Sequence, residues 1–116
     1  MLVLAIPIAL IGTGALASVF DSEVSIHFND NKGLFKGHVD STSECEAGRK
    51  VVVFKARKGD DKKIGSDMTN AQGKWKVDKN HANGKYYAKV KKSTLAGYAS
   101  APGDTCAADR SKKIHV

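Results

Sequence analysis

The side chains in this chain of 116 residues that could do chemistry are four histidines, two cysteines and a large set of lysines. His27, His38, His81 and His115 stand without H-x-H or H-x-x-x-H spacing, so no two are set to share a metal ion from one strand or one helical turn. They read as structural or surface histidines. Residues 29–33 (NDNKG) have a faint outline of an acidic calcium loop, but they lack its carboxylate count and the glutamate that should follow the glycine. A turn is the better reading. Serine, histidine and aspartate all occur, yet no G-x-S-x-G elbow presents a nucleophile and no glycine-rich loop is shaped for phosphate. The expectation is a non-catalytic protein with no cofactor and no metal site.

Lysine dominates the charge. There are 19 Lys and Arg against 12 Asp and Glu, a formal net charge of +7, and only three of the cations are arginines. Lys50, Lys55, Arg57, Lys58, Lys62 and Lys63 gather around one expected hairpin, Lys74, Lys76 and Lys79 flank a tryptophan, and Lys85, Lys89, Lys91 and Lys92 follow one strand. If those strands are neighbours, Lys55, Arg57, Lys74, Lys76, Lys85, Lys89 and Lys91 form a positive face suited to an anionic polymer such as a cell-envelope polymer, a glycan or nucleic acid. The bland alternative is a solvated outer face, because a soluble sheet alternates core and polar residues and lysine guards exposed edges. So few arginines leave little for bidentate phosphate recognition, and no specific nucleic-acid motif is visible. Among the aromatics, Tyr87 and Tyr98 are candidates for stacking on a glycan, whereas Trp75 and Tyr86 fall on the expected core face.

Composition frames these residues. With 41% hydrophobic and 27% charged residues, the chain suits one folded domain and not a disordered or polytopic membrane protein. Residues 1–20 carry no charged side chain. Residues 2–11 suit the apolar core of an export signal, broken by Pro7, Gly12 and Gly14, and Ala15-Leu16-Ala17 offers the small-x-small pattern of a cleavage site. Residues 1–17 are read as a signal peptide and 18–116 as the mature, secreted or extracellular domain. The alternatives are an uncleaved anchor, which would bring membrane contact, and an internal hydrophobic strand. Cys45 and Cys106 fit neither a metal knuckle nor a CxxC motif. In an exported chain they suggest one disulfide, closing a loop that removes roughly 4 kcal/mol of unfolded-chain entropy. Two buried free thiols are the alternative.

The remainder is patterned for strands. Short β-branched and aromatic runs alternate with Gly, Asn and Asp punctuation, at residues 24–28, 34–40, 50–57, 63–69, 74–78, 85–92 and 112–116. Phe35, Gly37 and Val39 share one face opposite Lys36, His38 and Asp40; Trp75 and Val77 oppose Lys74, Lys76 and Asp78. Val51 and Val53 are expected to point inward, while Val52 and Phe54 leave the facing of their run ambiguous. Seven short strands with no helix longer than a turn predict an all-β, antiparallel, seven-stranded immunoglobulin-like β-sandwich preceded by the signal peptide.

Residues 35–39 (FKGHV), 48–53 (GRKVVV), 69–75 (TNAQGKW) and 84–90 (GKYYAKV) together resemble the transthyretin-like, carboxypeptidase-regulatory-like family of β-sandwich domains. The resemblance covers about residues 34–92 and rests on fold-shaping positions, not on an active site. It implies a prealbumin-like sandwich that serves as a non-catalytic accessory, adhesive or structural module outside the cytoplasm. The Tyr-Arg-Gly-Ser motif of the family's hydroxyisourate hydrolases does not occur in residues 111–116 (SKKIHV), and the last strand has no Asn or Asp for the Lys–Asn isopeptide of related adhesins. The expected role is therefore a structural or interaction module with an extracellular protein or anionic polymer as partner. The alternative is a polyanion- or carbohydrate-binding module using a lysine-rich face.

Overall fold

The computed structural model describes residues 17–95 and 103–116. Tyr98 and all but the last residue of the expected signal peptide lie outside the described residues. The strands are β1 (Val19–Phe20), β2 (Glu23–Val24), β3 (His27–Asn29), β4 (Leu34–Asp40), β5 (Lys50–Ala56), β6 (Lys62–Met68), β7 (Lys74–Asp78), β8 (Lys85–Val90), β9 (Ser93–Thr94), β10 (Thr105–Cys106), β11 (Asp109–Arg110) and β12 (Ile114–His115). Among the described residues one helical turn, α1 (Ser43–Glu46), interrupts them, and the fold is all-β.

Two larger sheets are antiparallel throughout. In the first, β4 pairs with β2 and β3 and also with β7; in the second the order is β11-β8-β5-β6, with β12 also on β8. A small third sheet, β1-β10-β9, includes a parallel pairing of β1 with β10. The expected first run is divided into β2 and β3, and residues outside all seven expected runs form β1, β9, β10 and β11. These two-residue strands are too short for a side-chain period to be seen in sequence.

Alternation along the strands builds one apolar cluster from both larger sheets. Val24, Phe35, Val39, Trp75 and Val77 come from the first, and Val51, Val53, Tyr86, Ala88 and Val90 from the second. The Phe35 and Tyr86 rings meet with centroids 4.7 Å apart, within the range of a favourable tilted pair. Val52, on the other face of β5, is also buried, which explains a run that shows no alternation: both faces of the strand are covered.

Two glycines are required by close approach. A Cβ on Gly37 would lie 1.9 Å from the Ser25 carbonyl oxygen, where the chain between β2 and β3 crosses β4. Gly73 turns with φ +81° into Lys74, and a Cβ there would lie 2.5 Å from the Val39 carbonyl oxygen.

Cys45 and Cys106 form a disulfide with a Cα–Cα distance of 5.5 Å, joining α1 to β10, and both are fully buried. Next to it lies Arg49, only 1% exposed. Its Nη1 donates to the Cys45 carbonyl (2.7 Å) and Ser22 Oγ (3.0 Å), and its Nη2 to the carbonyls of Ala107 (2.8 Å) and Lys91 (2.9 Å). Burial lowers the pKa of this guanidinium from its ordinary value.

Candidate anion-binding face

The register of β4 decides which basic side chains meet. β3 and β7 both pair with it, so His27, Lys36 and Lys76 stand side by side in one row across three strands. His38 and Lys74 form the next row. Strand alternation turns all five to the outer side, opposite Phe35, Val39, Trp75 and Val77 of the core.

These side chains line an open groove of about 770 Å³ that also reaches Leu34, Met68 and Lys32. Among the described residues, no ion pair or hydrogen bond engages the ammonium groups of Lys36, Lys74 or Lys76. The one carboxylate lining the groove, Asp67, accepts from the Lys76 backbone N–H at 2.9 Å and so caps the free edge of β7. His38 is held in place, its Nε2–H donating to the Gln72 carbonyl at 2.7 Å. Like charges directly opposite on paired strands are destabilising, so the pairing of Lys36 with Lys76 is a local arrangement that folding alone does not favour.

The lysines of the sequence reading do not form one face. Lys74 and Lys76 belong to the groove, whereas Lys85 and Lys89 lie on the outer side of the second sheet. There the cations cover aromatic rings: Lys89 Nζ sits 5.7 Å from the Phe54 centroid, and the Arg110 guanidinium 4.7 Å from that of Tyr87. Lys91 is exposed just past the end of β8, its backbone N–H bonded to the Lys50 carbonyl. Lys55 reaches Asn83 Oδ1 at 3.2 Å, with its Nζ over the Tyr86 ring, 5.9 Å from the centroid. Arg57 folds back onto its own turn, its Nε–H donating to the Asp60 carbonyl at 2.7 Å.

Tyr87 corrects its expected exposure. It is 3% exposed, stacked on Phe54 (5.5 Å between centroids) and roofed by Arg110, and its hydroxyl donates to Asp61 Oδ2. That hydrogen bond raises the Tyr87 pKa, and together with the backbone N–H of Arg57 it lowers that of Asp61. No face of the ring is left for a sugar. The ring was expected outside because strand alternation names the side of a sheet, and the side chains that cover that side come from distant β5 and β11.

Among the described residues, no group of three or more His, Cys, Asp or Glu is placed to hold a metal ion. A second groove, of about 730 Å³, sets Glu23, Asp40 and Asp109 against Arg110 and Lys112, so charges of both signs share it. His27 and Lys36 were absent from the sequence-predicted binding set. The outward pattern of β4 marked Lys36, but only strand order brings it beside Lys76. Comparison with family models, curated proteins and solved structures finds no match to this chain.

Proposed function

We propose that this chain is an exported, non-catalytic interaction module that binds an anionic polymer through the outer face of β3, β4 and β7. The observation that carries the reading is the row of His27, Lys36 and Lys76 along an open groove lined by a single carboxylate, Asp67. A field of this kind attracts polyanions and raises their rate of encounter. In this reading residues 18–116, released from a signal peptide at 1–17, form a seven-stranded sandwich of transthyretin-like or immunoglobulin-like type. Within the two larger sheets, counting β2 with β3, and β11 with β12, as single interrupted strands gives seven, which supports that number. The buried disulfide is compatible with an oxidising, extracellular setting.

Retention on immobilised heparin tests the proposal. The protein is expected to elute above physiological ionic strength of about 0.15 M, and Lys36→Ala with Lys76→Ala to elute markedly earlier. Lys85→Ala with Lys89→Ala on the opposite sheet serves as the control. Elution of the unmodified protein below physiological salt overturns the reading, since a contact with several lysines is strongly salt-dependent.

A further inference from the structure

Resting on that reading, we infer that the polymer is a linear acidic polysaccharide and that it lies across the strands, over β3, β4 and β7, and not along them. Direction follows from the charges that border the two cationic rows. Beyond His38 and Lys74 the next row pairs Glu23 with Asp40, two carboxylates. On the other side of His27, Lys36 and Lys76 the row is Asn29, Leu34 and Asp78, with one carboxylate and no cation. An anionic chain running along β4 would leave the positive rows within one residue pair at either end. Laid across the strands, it meets a basic side chain at each strand, His27, Lys36 and then Lys76, at intervals of about 4.8 Å, and reaches the groove's one carboxylate, Asp67, only beyond β7.

The class of polymer follows from what stands between the cations. Asn29 and Asn70 both line the groove, and each spends its Oδ1 on backbone N–H groups of its own turn: Lys32 for Asn29, Gln72 and Lys74 for Asn70. Their Nδ2 amides have no partner among the described residues and remain as neutral donors beside the ammonium groups. A ligand with hydroxyl and ring oxygens between its charges uses both kinds of donor. Nucleic acid is served less well. Trp75, the aromatic residue lining the groove, is 3% exposed, so no base finds a stacking platform, and no arginine lines the groove to fork onto phosphate.

Backbone amide shifts of the ¹⁵N-labelled protein, titrated with a heparin hexasaccharide, read the site directly. The inference expects shifts at His27, Lys36, His38, Lys74 and Lys76, with Glu23, Asp40 and Asp78 near their free positions. A thymidine oligonucleotide of equal charge is expected to bind at least about tenfold more weakly, the equivalent of 1.4 kcal/mol. Lys36→Glu with Lys76→Glu should abolish the shifts while thermal unfolding shows the fold retained. Shifts continuing along β4 from Leu34 to Asp40 overturn the direction, and equal or tighter binding of the oligonucleotide overturns the class. Shifts confined to β5 and β8 overturn this site and leave polyanion binding standing. Failure of the hexasaccharide to bind anywhere removes both.

Discussion

The guanidinium of Arg49 donates to the carbonyl of Cys45 at 2.7 Å, so the residue that carries one end of the disulfide is also held by the most deeply buried cation of the protein. The same guanidinium reaches Ser22, Lys91 and Ala107. The segments around Ser22, Cys45, Lys91 and Ala107 converge on one planar group whose hydrogen-bond acceptors among the described residues include no carboxylate. Arginine suits this place because its fork serves several carbonyls at once, which a lysine ammonium cannot match in geometry.

Replacing Arg49 by Met keeps much of the volume and removes the donors. Three carbonyls and a hydroxyl then lose their hydrogen bonds at a buried site, and each such loss costs about 1–3 kcal/mol where water cannot enter. The expected total is about 3–5 kcal/mol, allowing for partial hydration, read as a drop in guanidinium chloride midpoint with the disulfide intact. A loss below about 1 kcal/mol would show that the carbonyls find other donors.

Removal of the sulfur bridge tests the other half of that cluster. Cys45→Ala with Cys106→Ala is expected to lower stability by about 2–5 kcal/mol, with circular dichroism of the surviving fold unchanged. If the double variant unfolds at the same denaturant concentration as the parent, the cross-link adds nothing to the native fold.

Gly37 leaves room for the Ser25 carbonyl, and a methyl group there meets that oxygen 1.9 Å away. Gly37→Ala should therefore cost at least about 2 kcal/mol through overpacking. The second contact of that Cβ, Trp75 Cζ2 at 2.7 Å, supplies a local signal. Tryptophan fluorescence of the folded variant should shift, and an unshifted spectrum at parental stability would contradict the crowding.

Asp61 and Tyr87 make stability depend on pH at two ends. The Asp61 pKa is lowered in the fold, chiefly by the Tyr87 hydroxyl, so its contribution is present above the unfolded carboxylate value of about 4 and fades as pH falls through the lower folded value. The Tyr87 pKa is raised, chiefly by Asp61, so its contribution is complete below about 10 and fades as pH climbs toward the higher folded value. Tyr87→Phe should flatten both limbs of a plot of melting temperature against pH. Identical limbs in parent and variant would remove the pair from the account.

Lys76→Gln offers a contrast between folding and binding. It relieves the like-charge pairing with Lys36, so stability at low salt should rise by roughly 0.2–1 kcal/mol while heparin retention falls. A variant both less stable and equally retained would mean that Lys76 serves packing and not the groove.

Much of the architecture was readable from residue order. Alternation placed Phe35, Val39, Trp75 and Val77 inward and Lys36, Lys74 and Lys76 outward, because a strand's side-chain period of two is a local property of its backbone. Turn residues such as Gly73 marked reversals for the same local reason, and a single pair of cysteines left one possible bridge. The cationic row was not readable in this way: nothing in the spacing says that β3 and β7 both pair with β4, and a one-residue slip in either would scatter His27, Lys36 and Lys76. Arg49 and Tyr87 belong to the same case. Their burial comes from segments tens of residues away, and long-range contacts of that kind exist only once the sheets have come together.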